Sequence, residues 1–362
     1  MRELLEQVRA WQVEGAELGR AVVVRTFRST PRPEGASLVV TADGRLAGSV
    51  SGGCVEGAAV EEIQRARADG VARVIRFGIS DEQAWDVGLA CGGTIDVLVE
   101  PFLRAEVVEA AAGPGGVVVV IPLPADAPPA APGPAERGRG EPPASAFAVT
   151  EDGTATGTTG LVEADAAIAR VARDALGQGR SMVVEAAGRQ WFVEGFGVPP
   201  RLVIVGAVQV AMPLARLARE LGYVTVVADG RAAFATRERF PEVDRLVVGW
   251  PDEVAAEIGL GPSDAVAVLT HDVKFDEPAI LEALRRGCRY VGAIGSRKTQ
   301  AWRRARLLEA GVEEADLLRL RGPIGLDLGG REPAETALAI MAEIVAERYG
   351  GSGAPLRTRA GA

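Results

Sequence analysis

The stretch that begins at residue 201 constrains the fold most. Arg201 opens an unbroken apolar run, Leu202-Val203-Ile204-Val205, followed by the turn Gly206-Ala207-Val208-Gln209-Val210-Ala211. Residues 213–221 then carry helical periodicity, and a second apolar run at 224–227 ends at Asp229. A buried strand that passes through a glycine turn into a helix and returns as another strand is a βαβ unit with parallel pairing. Asp229 stands 23 positions after Gly206, close to the offset of about 20 at which dinucleotide-binding units place a ribose contact. Strands at 245–248, 265–269 and 289–294 alternate with helices at 251–258, 277–286, 299–310 and 333–349. Residues 199–349 are therefore predicted as a Rossmann-like, doubly wound parallel sheet. The tail, 350–362, is rich in glycine and arginine and is expected to be disordered.

Upstream the pattern differs. An amphipathic helix at 2–13, with Leu4, Leu5, Val8 and Trp11 on one face, precedes short strands at 21–25, 37–41, 72–77 and 94–100, and a helix at 55–67. This organisation then repeats. Val40, Asp43 and Gly44 recur as Val149, Asp152 and Gly153, Val55 and Glu56 as Val162 and Glu163, and Val99-Glu100 before Phe102 as Val193-Glu194 before Phe196. Residues 1–198 are thus expected to form an α+β domain with an internal duplication, copy one about 1–104 and copy two about 115–198. The Pro/Ala/Gly-rich insert 122–143 reads as a solvated loop.

Two thiols stand out against this repeat. Cys54 follows Gly52 and Gly53 at the start of the 55–67 helix, and Cys91 precedes Gly92 and Gly93. Copy two has Leu161 in place of Cys54 and no counterpart of the Cys91 stretch, which separates the thiols from core filler. A helix N-terminus favours thiolate, the form that attacks electrophiles and ligates soft metals. Both cysteines are candidate reactive or metal-contacting groups. Three widely spaced cysteines and one histidine, His271, give neither a disulfide framework nor paired zinc ligands.

The net charge of −9 argues against nucleic acid or an anionic membrane as partner, and no apolar run approaches the roughly 20 residues of a membrane span. With no signal peptide, a cytoplasmic location is expected. At the carboxyl ends of the predicted parallel strands, His271 follows one strand and Gly295-Ser296-Arg297-Lys298 follows another and opens a helix. Backbone N–H groups, a hydroxyl and two cations there suit a phosphate. The Gly-x-Gly-x-x-Gly/Ala fingerprint has Val208 at its second glycine, where backbone must approach a pyrophosphate, which argues against a conventional NAD(P) mode.

Taken in order, these residues resemble the XdhC/CoxI family, accessory proteins for maturation of molybdenum hydroxylases such as xanthine dehydrogenase and carbon monoxide dehydrogenase. The resemblance rests on Ser51 to Glu56, Ala90 to Gly93 before Val99-Glu100-Pro101, Gly206 with Pro213-Leu214-Ala215, Asp229-Gly230-Arg231, His271 with Asp276, Tyr290 to Lys298, and Pro323 to Asp327 with Glu332-Pro333 and Glu343. The family turn resembles Gly-Ala-Gly-His-Val-Ala, from which Val208 and Gln209 depart. The resemblance implies a maturation chaperone, not a redox enzyme, that transiently binds the molybdenum cofactor (molybdopterin), protects it during sulfuration and inserts it into an apo-hydroxylase. It further implies a cysteine desulfurase partner and a homodimer. Cys54 and Cys91 would meet the molybdenum or its sulfur beside Gly52, Gly53, Gly92 and Gly93. Gly295, Ser296, Arg297 and Lys298 would hold its phosphate, and Gly206, Asp229, Arg231 and His271 would line the cleft. The alternatives are an NAD(P)-dependent oxidoreductase and a scaffold that only docks the hydroxylase.

Overall fold

The computed structural model describes residues 1–78, 93–113, 115–125, 127–128, 137–139, 147–150, 154–156, 158, 162–178 and 180–358. The chain divides into two compact units, Met1–Val198 and Pro199–Ala362.

The first unit contains β1 (Leu18–Phe27), β2 (Ser37–Thr41), β3 (Leu46–Gly48), β4 (Arg73–Phe77), β5 (Thr94–Glu100), β6 (Val117–Pro122), β7 (Arg137–Arg139), β8 (Phe147–Thr150), β9 (Ala155–Thr156), β10 (Met182–Ala186) and β11 (Arg189–Phe196). They form two antiparallel sheets, ordered β3-β2-β1-β5-β4-β7 and β10-β11-β6-β8-β9. Matching β1 to β6, β2 to β8, β3 to β9, β4 to β10 and β5 to β11 gives one order in both sheets, and β7 is the addition. Helix Glu56–Asp69 precedes β4 just as helix Val162–Gln178 precedes β10.

Side chains alternate across each strand, so each sheet has two buried faces. Ala21 and Val23 of β1 pack with Ala59 and Ile63 of helix Glu56–Asp69. Val22 and Val24 point the other way and join Val119, Ile121 and Phe192 of the second sheet. The far face of that sheet, with Val118, Val120 and Trp191, packs on Ile168 and Ala172 of helix Val162–Gln178. The layers are helix, sheet, sheet, helix. Between the sheets lies buried Arg20, which donates to Glu100 of β5 (3.5 Å) and Glu194 of β11. Buried charges need such partners, and here one guanidinium serves the matching glutamate of each sheet.

Several details depart from the sequence expectations. Arg137–Arg139, inside the stretch expected to be a solvated loop, pairs with the edge of β4. Helix Ala105–Ala112 is an additional element that buries Val107, Ala110 and Ala111. The C-terminal tail includes a 3-10 turn at Leu356–Thr358.

The second unit holds β12 (Arg201–Val205), β13 (Val224–Asp229), β14 (Arg245–Val248), β15 (Asp264–Val268), β16 (Tyr290–Ala293) and β17 (Leu320–Arg321). They make one parallel sheet ordered β14-β13-β12-β15-β16-β17, that is third, second, first, fourth, fifth, sixth. Helices Ala211–Glu220 and Pro333–Tyr349 cover one face through Leu214, Ala218 and Ile340. Helices Pro251–Glu257, Val273–Arg285 and Arg297–Glu309 cover the other through Val254, Ile280 and Leu307. Helix Val273–Arg285 starts four residues before the expected 277, because Asp272 caps it by accepting from the Lys274 N–H (3.0 Å). The winding direction reverses between β12 and β15, which opens a crevice at their carboxyl ends.

Candidate functional site

In the first unit the cysteine loop is built around a carboxylate, Glu56, which was not among the residues expected to form the site. Glu56, the first residue of its helix, folds back over residues 49–55. Its Oε1 accepts from the N–H groups of Val50 (3.2 Å) and Ser51 (2.9 Å) and from Ser49 Oγ (2.6 Å). Its Oε2 accepts from the N–H groups of Gly53 (2.8 Å) and Val55 (3.2 Å) and from Ser51 Oγ (2.6 Å). The hydroxyls finish the set: Ser49 Oγ accepts from Gly52 N–H (2.7 Å), and Ser51 Oγ from Cys54 and Val55 N–H (both 3.0 Å). Every backbone N–H from Val50 through Val55 thus has a side-chain acceptor. Burial pushes the Glu56 carboxyl up, but the hydrogen bonds from Ser49, Ser51 and the loop amides outweigh it and hold its pKa at about 2.

The loop geometry requires its glycines. Gly52 and Gly53 adopt φ of +79° and +118°, where a β-carbon is disfavoured. The result is an exposed Cys54 on a loop whose backbone N–H groups are all engaged. The N–H groups of Cys54 and Val55, which lead into the helix, are occupied by Ser51 and Glu56. Cys288, by contrast, is buried, and burial together with Asp264 pushes its thiol up to about 12, which leaves it inert.

Cys91 and Gly92 lie outside the described residues. Gly93 lies within them and packs tightly on the segment after β1: a β-carbon there would sit 2.1 Å from Ser29 O and 2.8 Å from Thr30 Cγ2. A β-carbon on Gly52 would sit 3.8 Å from Pro31 Cβ. The segment Ser29, Thr30, Pro31 therefore touches both the Cys54 loop and the residue that closes the Cys91 stretch.

In the second unit, Gly206 ends β12 at φ +107° and its N–H donates to Ala228 O (2.8 Å). A β-carbon on it would meet Thr270 Cγ2 at 2.4 Å, so the glycine is what allows the loops after β12 and β15 to close together. Val208, at the second fingerprint position, is half-buried and packs against the core of this unit. Asp229, expected to line the cleft, is 3% exposed and fully engaged. It accepts from Ala207 N–H (2.8 Å), Arg231 N–H (2.9 Å) and the Arg231 guanidinium (2.8 and 2.9 Å). Burial raises its pKa, but the hydrogen bonds from Arg231 and Ala207 win and hold it below the ordinary 3.8. A ribose hydroxyl would have to displace one of these bonds. Arg231 itself is exposed and lies over the Phe234 ring at 4.1 Å.

His271 is exposed on the edge, one residue after buried Thr270. Beneath it runs a polar brace. Asp276 accepts from Thr270 Oγ1 and from Arg303 (2.8 Å), and Arg303 also donates to Ile294 O (3.1 Å) and Gln300 Oε1 (2.7 Å). The brace ties the loop after β15 to the loop after β16. That second loop carries Gly295 at φ +133°, and Ser296 caps helix Arg297–Glu309 by accepting from Thr299 N–H (3.1 Å). Arg297 and Lys298 are exposed, and among the described residues neither has a carboxylate in salt-bridge range; Lys298 Nζ stands 4.7 Å from the Trp302 ring centroid. His271, on the loop after β15, and Arg297 and Lys298, at the helix start after the β16 loop, are therefore braced together at one sheet edge.

A small apolar crevice lies between the sheet and helices Pro251–Glu257 and Val273–Arg285. Its polar wall comes from the carboxylates Asp229 and Glu282, so it is not a seat for an anion. Among the described residues no three His, Cys, Asp or Glu side chains converge as a metal site, and no helix is long and apolar enough to cross a membrane.

Known proteins resemble this chain. The model of the XdhC Rossmann domain matches residues 202–344 and that of the XdhC and CoxI family matches residues 11–78. A probable xanthine dehydrogenase subunit of Bacillus subtilis (strain 168) is 26% identical over 91% of this chain and 92% of that protein. The molybdenum cofactor insertion chaperone PaoD of Escherichia coli (strain K12) is 27% identical over 92% of this chain and 84% of its own. A crystal structure of a xanthine dehydrogenase from Bacillus halodurans shares the fold, with a TM-score of 0.74 and 22% identity over 99% of this chain and 98% of that one. With two models of one family matched, together over more than half of its length, the chain belongs to the XdhC and CoxI family.

Proposed function

We propose that this protein binds the molybdenum cofactor as cargo and delivers it to an apo-hydroxylase of the xanthine dehydrogenase type. The observation that carries the reading is an exposed thiol, Cys54, on a loop locked by Glu56, in a chain that resembles a named cofactor insertion chaperone along nearly its whole length. Thiolate suits a soft molybdenum centre, and an exposed position on a fixed loop suits transfer in and out.

In this reading Cys54 and Cys91 contact the molybdenum or its terminal sulfur, with Gly52, Gly53, Gly92 and Gly93 leaving room for it. Gly295, Ser296, Arg297 and Lys298 hold the phosphate of the pterin, and His271, Arg231 and Gly206 border it. Asp229 acts indirectly, by fixing Arg231. A cysteine desulfurase supplies the sulfur, and the protein works as a homodimer. Purified protein mixed with released cofactor should retain pterin fluorescence through gel filtration. Cys54→Ala and Cys91→Ala should lose most of it, and unchanged retention and hydroxylase activation in both would end the proposal. Val208 and the engaged Asp229 speak against the NAD(P) oxidoreductase, and calorimetric titration should give no heat of binding for NAD or NADP.

A further inference from the structure

The Cys54 loop sits where proteins commonly bind phosphate: a Ser/Gly-rich turn with two glycines at positive φ, running into the start of a 14-residue helix. In this chain that place is taken. Six consecutive N–H groups, Val50 to Val55, donate to Glu56, Ser49 and Ser51. The acceptor at the centre is an anion supplied by the chain itself.

We propose that Glu56 is the positioning and selectivity residue of the Cys54 site: its carboxylate occupies the anion nest at the helix start, fixes the loop with the thiol outward, and excludes phosphate groups from it. An external phosphate would find no free amide donor among residues 50–55, and it would meet a fixed negative charge. What the loop presents is the sulfur alone, so it accepts an electrophilic or soft metal centre, and the anionic part of any cargo has to be held elsewhere. The bearing on cargo rests on the function proposed above, whereas the plug itself does not.

Hydrogen exchange read at the amides of residues 50–55, with inorganic phosphate as probe, tests this in the full chain. In the parent protein these amides should be protected and indifferent to phosphate at constant ionic strength. Glu56→Ala should speed their exchange about tenfold or more, since several hydrogen bonds are lost at once. Phosphate should then restore part of the protection by filling the vacated nest, a rescue that a purely structural role would not give. Glu56→Gln keeps the shape, loses the charge, and should also exchange faster. Amides that exchange at the parent rate in both variants, or parent amides that phosphate already protects, would overturn the proposal. Because no cofactor is involved, a parent protein whose Cys54→Ala variant still retains cofactor would retire the functional reading while leaving this one standing.

Discussion

At the scale of single residues, Glu56 organises the thiol site as much as Cys54 does. Its folded pKa of about 2 lies below the ordinary 4.5, so its contribution to stability is complete above about pH 4.5 and fades as pH falls through about 2. Glu56→Gln should flatten the stability profile between those values and leave its shape above pH 5 unchanged, as read by denaturant titration at a series of pH values. Gly206 makes a second case. A methyl group there would collide with Thr270 at a φ of +107°, so Gly206→Ala should cost about 1–3 kcal/mol in the same measurement. The role of Gly206 was legible because a strand-to-helix turn needs such a residue. The role of Glu56 was less so: a glutamate at a helix start reads as a favourable dipole partner, and only the fold-back shows that it satisfies the loop before it.

At the scale of elements, the brace of Thr270, Asp276 and Arg303 matters most, because it joins the loop that carries His271 to the loop that leads into Arg297 and Lys298. Arg303→Ala strands a buried carboxylate and should destabilise the protein by about 3–5 kcal/mol, measurable as a lower denaturant midpoint. Strands Ser37–Thr41, Thr94–Glu100, Arg201–Val205 and Arg245–Val248 fall where their apolar patterning puts them. The short strands Leu46–Gly48 and Leu320–Arg321 have no pattern of their own and exist through pairing with β2 and β16. Arg137–Arg139 is the same kind of element: a polar segment in a Pro/Gly-rich stretch becomes a strand because β4 offers an open edge. The brace too was hidden, since Asp276 and Arg303 lie 27 residues apart and meet only because consecutive helices pack on one sheet face.

At the scale of the whole molecule, the two N-terminal sheets share one strand order, and the second packs against the sheet whose connections carry the cysteine loop. The C-terminal unit keeps the strand order of dinucleotide-binding folds while Val208 and Asp229 are turned to packing and internal bonding. Gly295 to Lys298, at the carboxyl edge of this sheet, are the residues proposed above to hold the anionic part of the cargo. The central claim, that this cargo is the molybdenum cofactor and that Cys54 helps retain it, is tested most directly by gel filtration of the parent and Cys54→Ala proteins after mixing with released cofactor. Pterin fluorescence that travels with the parent protein and falls at least about tenfold in Cys54→Ala, the loss expected for one metal-binding contact, is the predicted result. Equal fluorescence in both proteins, or none in either, would contradict it.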